Sequence, residues 1–201
     1  MRCRHAKKSD MDRVCNLLAA EFFHDPIYKF VFSERKNRFD VMKEYFRIYV
    51  NLALERGGIL LTENDSGVLV YFRPEALEMT PEENARIYDQ LNKVCGCDYV
   101  RAVTLIEGLD NLQPKDPPHY VIALLAIQSS SRGGTLVKDL FNSLNAILDK
   151  EKAPCYAECT RYSTRTLIRR WGYHDTGTSL HIDGFPELYP VWRTPQHIIS
   201  L

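Results

Sequence analysis

A glycine-containing junction is the stretch of this sequence whose residue types are best suited to bind a ligand. The apolar run 121–127 is followed by Gln128, three serines, Arg132, Gly133 and Gly134. A strand that enters a helix through glycines leaves several backbone N–H groups without partners at the positive end of the helix dipole. Such donors suit a phosphate group, although the two glycines can also serve only the turn.

The segments on either side of this junction predict the elements that must position it. The apolar run is too short to span a membrane, and it predicts a central strand at 120–127 with both faces covered. Beyond the glycines, apolar residues recur at helical spacing between Leu136 and Leu148. They predict an amphipathic helix from about Thr135 that packs back onto the sheet. A further strand is predicted at 154–160.

The remaining pattern predicts alternating helices and strands. A strand at 3–6 precedes a helix that ends near residue 23, before His24-Asp25-Pro26. Residues 27–32 are rich in aromatic side chains and read either as core or as the wall of a pocket. A second helix at 35–56 leads into a hairpin of strands at 59–61 and 68–72. Later elements are predicted as helices at 81–95, 99–109 and 163–171 and a strand at 173–182.

Composition restricts the classes of function. The 201 residues include 26 basic and 26 acidic side chains and are 45% hydrophobic, which favours a single soluble domain over 1–201. The balanced charge argues against nucleic acid or an acidic membrane as a partner. Residues 1–8 lack the apolar core of a signal peptide, so a cytoplasmic location is expected. The sequence does not decide between a monomer and a homodimer.

The six cysteines predict neither a disulfide framework nor a metal site. They are mostly scattered, and Cys95-Gly96-Cys97 has the wrong spacing for a zinc knuckle with no second pair after it. Free thiols are therefore expected.

The residues Leu124 to Val137 resemble motif A of the GNAT superfamily of acyl-CoA-dependent N-acyltransferases. In that motif an apolar strand leads into Gln/Arg-x-x-Gly-x-Gly/Ala, and its two late glycine positions fall on Thr135 and Val137 here. The sequences Glu158-Cys159-Thr160 and Trp171-Gly172-Tyr173 resemble motif B of the same superfamily. The order strand, two helices and hairpin at the start is also similar, so the resemblance spans nearly the whole chain.

This resemblance implies a fold and a cofactor. The fold would be α/β, with a mixed, mostly antiparallel central sheet flanked by helices and a splayed parallel strand pair. Acetyl-CoA would be the co-substrate, and the acceptor would be the amine of a small molecule or a peptide. The pantetheine arm would lie along Leu125, Ala126 and Ile127, with the Leu125 N–H at the developing oxyanion. The pyrophosphate would be surrounded by Arg132, Gly133, Gly134, Thr135, Leu136 and Val137.

The catalytic groups are less clearly marked. The family's usual proton donor to the thiolate is a Tyr four residues before the motif B glycine, and this position is Ile168 here. Either another acid serves, the thiolate leaves unprotonated, or the protein does not catalyse. Glu158 is the first candidate for general base, because a carboxylate beside a dry pocket can have its pKa raised toward neutrality. His119 is the second, since histidine titrates in the useful range. Either residue can instead be a satisfied polar group.

Three functional interpretations follow from these observations. The first is an acetyl-CoA-dependent N-acetyltransferase that works by direct attack in a ternary complex. The second is a catalytically degenerate GNAT-fold protein that binds acyl-CoA or acts as an interaction module, and the third is a different phosphate-binding α/β enzyme. If Thr135 and Val137 crowd the pyrophosphate, replacing both with glycine should tighten CoA binding. The acceptor would be set by residues 25–32, 81–109 and 185–192, which carry no motif that identifies it.

Overall fold

The computed structural model describes residues 3–32 and 36–196. Its strands are β1 Cys3–His5, β2 Gly57–Thr62, β3 Gly67–Phe72, β4 Tyr120–Ile127, β5 Cys155–Cys159, β6 His174–Asp175 and β7 Tyr189–Arg193. Its α-helices are α1 Met11–Phe22, α2 Pro26–Val31, α3 Arg38–Arg56, α4 Pro81–Cys95, α5 Tyr99–Leu112, α6 Leu136–Glu151 and α7 Tyr162–Ile168. None of the helices in the described ranges is both long and apolar enough to cross a membrane.

The strands form one seven-stranded sheet in the order β1-β2-β3-β4-β5-β7-β6. Neighbouring strands are antiparallel except β4 and β5, which are parallel. Helix α6 connects these two strands, as a parallel crossover requires. The predicted mixed, mostly antiparallel α/β fold and the predicted parallel pair are confirmed.

Helices cover both faces of the sheet because the side chains of its strands alternate between two apolar cores. In β2, Ile59 and Leu61 contribute to a core that includes α1 and α3, whereas Leu60 between them contributes to a core with α6. The stripe of α6 predicted from its spacing is buried at Leu140, Phe141, Leu144 and Leu148. Helix α6 therefore lies on the face opposite α1, and the loop 128–135 joins it to the end of β4.

The segment after α1 differs from the sequence-based expectation. Residues 26–31, for which no helix was predicted, form the short helix α2, and Ile27, Tyr28 and Val31 are buried in the core. Asp25 begins this helix, because its side chain accepts a hydrogen bond from the Ile27 N–H at 3.0 Å. Pro26 occupies the first helical position, where no N–H is needed.

The C-terminal part is also corrected by the structure. Within the strand predicted at 173–182, only His174–Asp175 form a strand, and Leu180 makes an isolated antiparallel bridge to Leu188. The chain turns at Gly177 and Gly184, which both have positive φ. The unpredicted strand β7 takes the central place between β5 and β6.

Two sequence-based expectations touch residues outside the described ranges. The second helix was predicted from residue 35, which is one of them, and it is seen from Arg38 onward. Residues 1 and 2 of the N-terminal segment also lie outside the described ranges.

Candidate active site

Strands β4 and β5 separate soon after they begin, which opens a wedge in the middle of the sheet. Their ladder consists of three pairs, from Tyr120 with Cys155 to Ile122 with Ala157. On its other side, β4 pairs with β3 and has a bulge at Ala123. The adjacent β3 residues Val70 and Tyr71 pair with Leu124 and Ile122, so Ala123 has no partner in β3. Ile122 and Leu124 consequently pack into opposite cores although they are two residues apart.

A cavity of about 550 Å³ occupies this wedge. Its walls come from the end of α1, from β4, from the β4–α6 loop, from the end of β5 and from α7. Among the predicted cofactor residues, those that line the cavity are Leu125, Ala126, Ile127, Arg132, Gly133, Gly134, Leu136 and Val137. Thr135 is exposed instead, and its hydroxyl donates to the Asp139 carboxylate at 3.4 Å.

The β4–α6 loop has the features of an anion site. Gly133 has φ of +85°, and a Cβ added to it would meet nothing within 4 Å, so open space lies beside its backbone. The N–H groups of Gly133 and Gly134 form no hydrogen bond to any described residue. The first turn of the 16-residue helix α6 follows, with its own free N–H groups. These donors and the helix dipole fit a phosphate ester.

An acidic residue that the sequence analysis did not single out, Glu21, lies against this loop. One oxygen of its carboxylate accepts the Ser129 N–H at 2.8 Å, and the other pairs with the Arg132 guanidinium at 2.5 Å. Glu21 comes from the last turn of α1, 108 residues before Ser129. No local pattern in the sequence connects these positions.

Glu158 lies near the end of β5, half-buried in the cavity wall. Burial raises the pKa of its carboxyl to about 7, and the neighbouring Tyr156 hydroxyl partly offsets this increase. Tyr156 is two residues earlier on the same strand and therefore on the same face. A carboxylate that is half-ionised near neutral pH is suited to accept a proton from a substrate.

A second carboxylate, Asp25, also lines the cavity. It accepts the Thr160 hydroxyl at 2.6 Å and lies 3.5 Å from the Arg161 guanidinium, which also donates to the His24 carbonyl. Burial raises the pKa of Asp25, while the hydrogen bond from Thr160 opposes this. These contacts fasten the α1–α2 turn to the end of β5. The Asp25-Pro26 sequence predicts the turn, but nothing in the sequence indicates that Asp25 binds Thr160.

His119 is not among the residues that line the cavity. It is buried before the first residue of β4, at the closed end of the β4–β5 pair. Its Nδ1 lies 2.7 Å from the Pro117 carbonyl oxygen and its Nε2 lies 3.1 Å from the Gln113 side-chain nitrogen. The ring also packs against Trp192. This geometry favours the structural interpretation of His119 over the catalytic one.

Two other residues of the wall bear on the chemistry. Ile168, at the position of the family's usual Tyr, lines the cavity with a side chain that has no exchangeable proton. Cys159 borders the cavity but packs into the α6-side core, and burial raises the pKa of its thiol to about 12. Its thiolate is therefore scarce at neutral pH.

The fold is shared with acetyltransferases of known structure. A Corynebacterium glutamicum protein described as "histone acetyltransferase HPA2 and related acetyltransferase" is 18% identical, with a TM-score of 0.73 over 98% of each chain. Arylalkylamine N-acetyltransferase 2 from Aedes aegypti is 14% identical, with a TM-score of 0.67 over 97% of this chain and 99% of its own. A polyamine N-acetyltransferase from Drosophila melanogaster is 16% identical, with a TM-score of 0.59 over 96% and 98%.

These structural matches define the class of fold. The chain has the GNAT, or acyl-CoA N-acyltransferase, fold, as its motifs A and B had indicated. At the level of sequence, no family model matches the chain and no curated protein does.

Proposed function

We propose that this protein is an acetyl-CoA-dependent N-acetyltransferase that transfers the acetyl group to an amine of a small molecule or a peptide. The observation that carries the proposal is the wedge between β4 and β5, whose cavity is lined both by the β4–α6 loop and by Glu158. The acetyltransferases that share the fold support the same activity. The six free cysteines fit a cytoplasmic location.

The division of roles follows from the walls of the cavity. The β4–α6 loop would hold the diphosphate of CoA, and the strand residues Leu125 to Ile127 would lie along the pantetheine arm. Glu158 would take a proton from the attacking amine, which must be neutral to act as a nucleophile. The Leu125 N–H would stabilise the negative charge that develops on the thioester oxygen.

Departure of the thiolate does not need a side-chain acid at position 168. A thiol has a pKa of about 8.5, so a thiolate is a tolerable leaving group at neutral pH. Glu158, once it has accepted the proton of the amine, would be able to return that proton to the thiolate. The replacement of the usual Tyr by Ile168 would then lower the rate without abolishing transfer.

Direct attack is favoured over an acetyl-enzyme intermediate. Cys159 is the one cysteine in the cavity wall of the described chain, and its raised pKa leaves little thiolate to attack a thioester. A ternary complex needs only that amine and thioester be held together, which the shared cavity supports. Retention of radiolabelled acetyl on Cys159 after incubation with acetyl-CoA would contradict this route.

Binding of the cofactor is tested by thermal unfolding. A ligand that binds only the native state at about 100 times its Kd adds about 2.7 kcal/mol to the free energy of unfolding. For a chain of this size that corresponds to a rise in Tm of about 5–10 °C. An unchanged Tm in millimolar acetyl-CoA would contradict the proposal.

A second candidate, an acyl-CoA-binding module without catalysis, is favoured by Ile168 at the position of the usual acid. A panel of amines and amino acids assayed for CoA release separates the two. Release that depends on the amine supports the transferase, whereas a raised Tm without release from any amine supports the binding module.

A further inference from the structure

The carboxylate of Glu21 lies where the proposed site expects an anion. It accepts the Ser129 N–H at 2.8 Å and pairs with Arg132 at 2.5 Å, so it satisfies one backbone donor and one cation of the β4–α6 loop. Its side chain is only 10% exposed, and it lines the same cavity as Gly133 and Gly134. A carboxylate bound by an N–H and a guanidinium makes the contacts that a phosphate oxygen would make.

The position of Glu21 in its own helix does not explain this arrangement. Glu21 is the penultimate residue of α1, and a negative charge in the last turn of a helix is disfavoured by the helix dipole. Its favourable interactions therefore come from the loop, 108 residues away in sequence. The loop, in turn, keeps open space beside Gly133.

We propose that Glu21 is a specificity-determining residue of the cofactor site, whose carboxylate occupies the place of a diphosphate oxygen and must be displaced when CoA binds. A ligand displaces it only by bringing more negative charge to Ser129 and Arg132 than one carboxylate supplies. A diphosphate ester meets this condition, and a singly charged carboxylate metabolite does not. The inference rests on the proposed function, because it names CoA as the displacing ligand.

The test is a calorimetric titration of the wild-type protein, Glu21→Gln and Glu21→Ala with CoA and, separately, with inorganic diphosphate. Each substitution removes the negative charge of Glu21 from beside the negatively charged phosphate groups of the ligand. The binding of both ligands should therefore tighten on the order of tenfold. Glu21→Gln keeps the shape of the side chain and an oxygen for the Ser129 N–H, so it is expected to fold even if Glu21→Ala does not. Glu55→Gln, which removes the same charge from an exposed position of α3, should bind both ligands as the wild type does.

The outcomes distinguish this inference from the proposed function. If the wild type binds CoA and the Glu21 variants bind it equally or more weakly, the inference is wrong and the proposed function stands. If the wild type does not bind CoA but the variants gain diphosphate binding, Glu21 does occupy an anion site, whereas CoA as the displacing ligand and the proposed function are both contradicted. If no protein binds either ligand, both are overturned.

Discussion

At the scale of single residues, Glu158 couples the proposed chemistry to pH. Its pKa of about 7 means that the carboxylate form becomes dominant as the pH rises above neutrality. We expect kcat/KM to increase through this range in the wild type, because only the ionised form can accept the proton of the amine. Glu158→Gln should lower the rate by about 100-fold or more, the usual range for loss of a general base.

The pH profile separates this role from a general effect of the substitution. The acceptor amine also loses its proton as pH rises, so the informative quantity is the ratio of wild-type to variant rates. That ratio should rise through pH 7, while the acetyl-CoA affinity of the variant stays nearly unchanged. An unaffected rate would remove Glu158 as the base.

The same raised pKa predicts a cost in stability. In the unfolded chain the pKa of Glu158 returns to its ordinary 4.5, so the folded state binds the proton more tightly. The stabilisation from this proton is complete below pH 4.5 and is lost as the pH rises through 7. Glu158→Gln should therefore raise the free energy of unfolding by about 1–3 kcal/mol at pH 8, after allowance for its partial exposure, and have little effect near pH 4.

Chemical denaturation at the two pH values measures this difference. Glu55→Gln, an exposed charge change, is the matched control and should show no such dependence. Equal stability of Glu158→Gln and the wild type at pH 8 would mean that burial does not raise the pKa of Glu158.

At the scale of elements, Thr135 and Val137 lie in different surroundings, although both stand at positions where motif A has glycine. Val137 lines the cavity, whereas Thr135 is exposed and bonded to Asp139. We therefore expect Val137→Gly to tighten CoA binding, at a cost of about 1 kcal/mol in stability for a glycine in a helix. Thr135→Gly, which serves as the control, should leave CoA binding unchanged.

Calorimetry on the two single variants measures this prediction. Weaker binding by Val137→Gly would show that the valine side chain contributes to the site. In that case the departure from the motif would be an adaptation to the ligand.

The elements around the site could be predicted from sequence to different extents. The whole of β4 and the start of α6 could be predicted within one residue from their unbroken or periodic patterns, because burial on one or both faces dictates the residue types. The short elements α2 and β7 have too few residues for a period, and the interactions that hold them come from other parts of the chain. The contacts of Glu21 and Asp25 could not be predicted for the same reason, since their partners lie 108 and 135 residues away in the sequence.

At the scale of the whole molecule, a buried ion pair ties the last strand to helix α6. Arg193 of β7 is 1% exposed, and its guanidinium lies 2.8 Å from the Asp149 carboxylate. Two of its nitrogens, Nε and Nη1, have no hydrogen-bond partner among the described residues. We therefore expect the stability of the β5–β7 pairing to depend on Asp149.

Asp149→Ala should be strongly destabilising because it leaves the Arg193 charge buried without its partner. The expected loss is about 3–5 kcal/mol of the free energy of unfolding, measured by urea denaturation. Lys150→Ala, at an exposed position next to it on α6, should change stability by less than about 0.5 kcal/mol. A loss below 1 kcal/mol for Asp149→Ala would show that water reaches the guanidinium.

The divergence of β4 and β5 gives the sheet an internal pair of edges. Beyond Ile122 and Ala157 each strand has a neighbour on one side only, as a strand at the rim of a sheet does. Exposed rims invite pairing with other chains, and many proteins protect them with charges, prolines or bulges. Here residues of α1 and α7 line the gap, and we expect these helices to hinder the pairing of another chain with either strand.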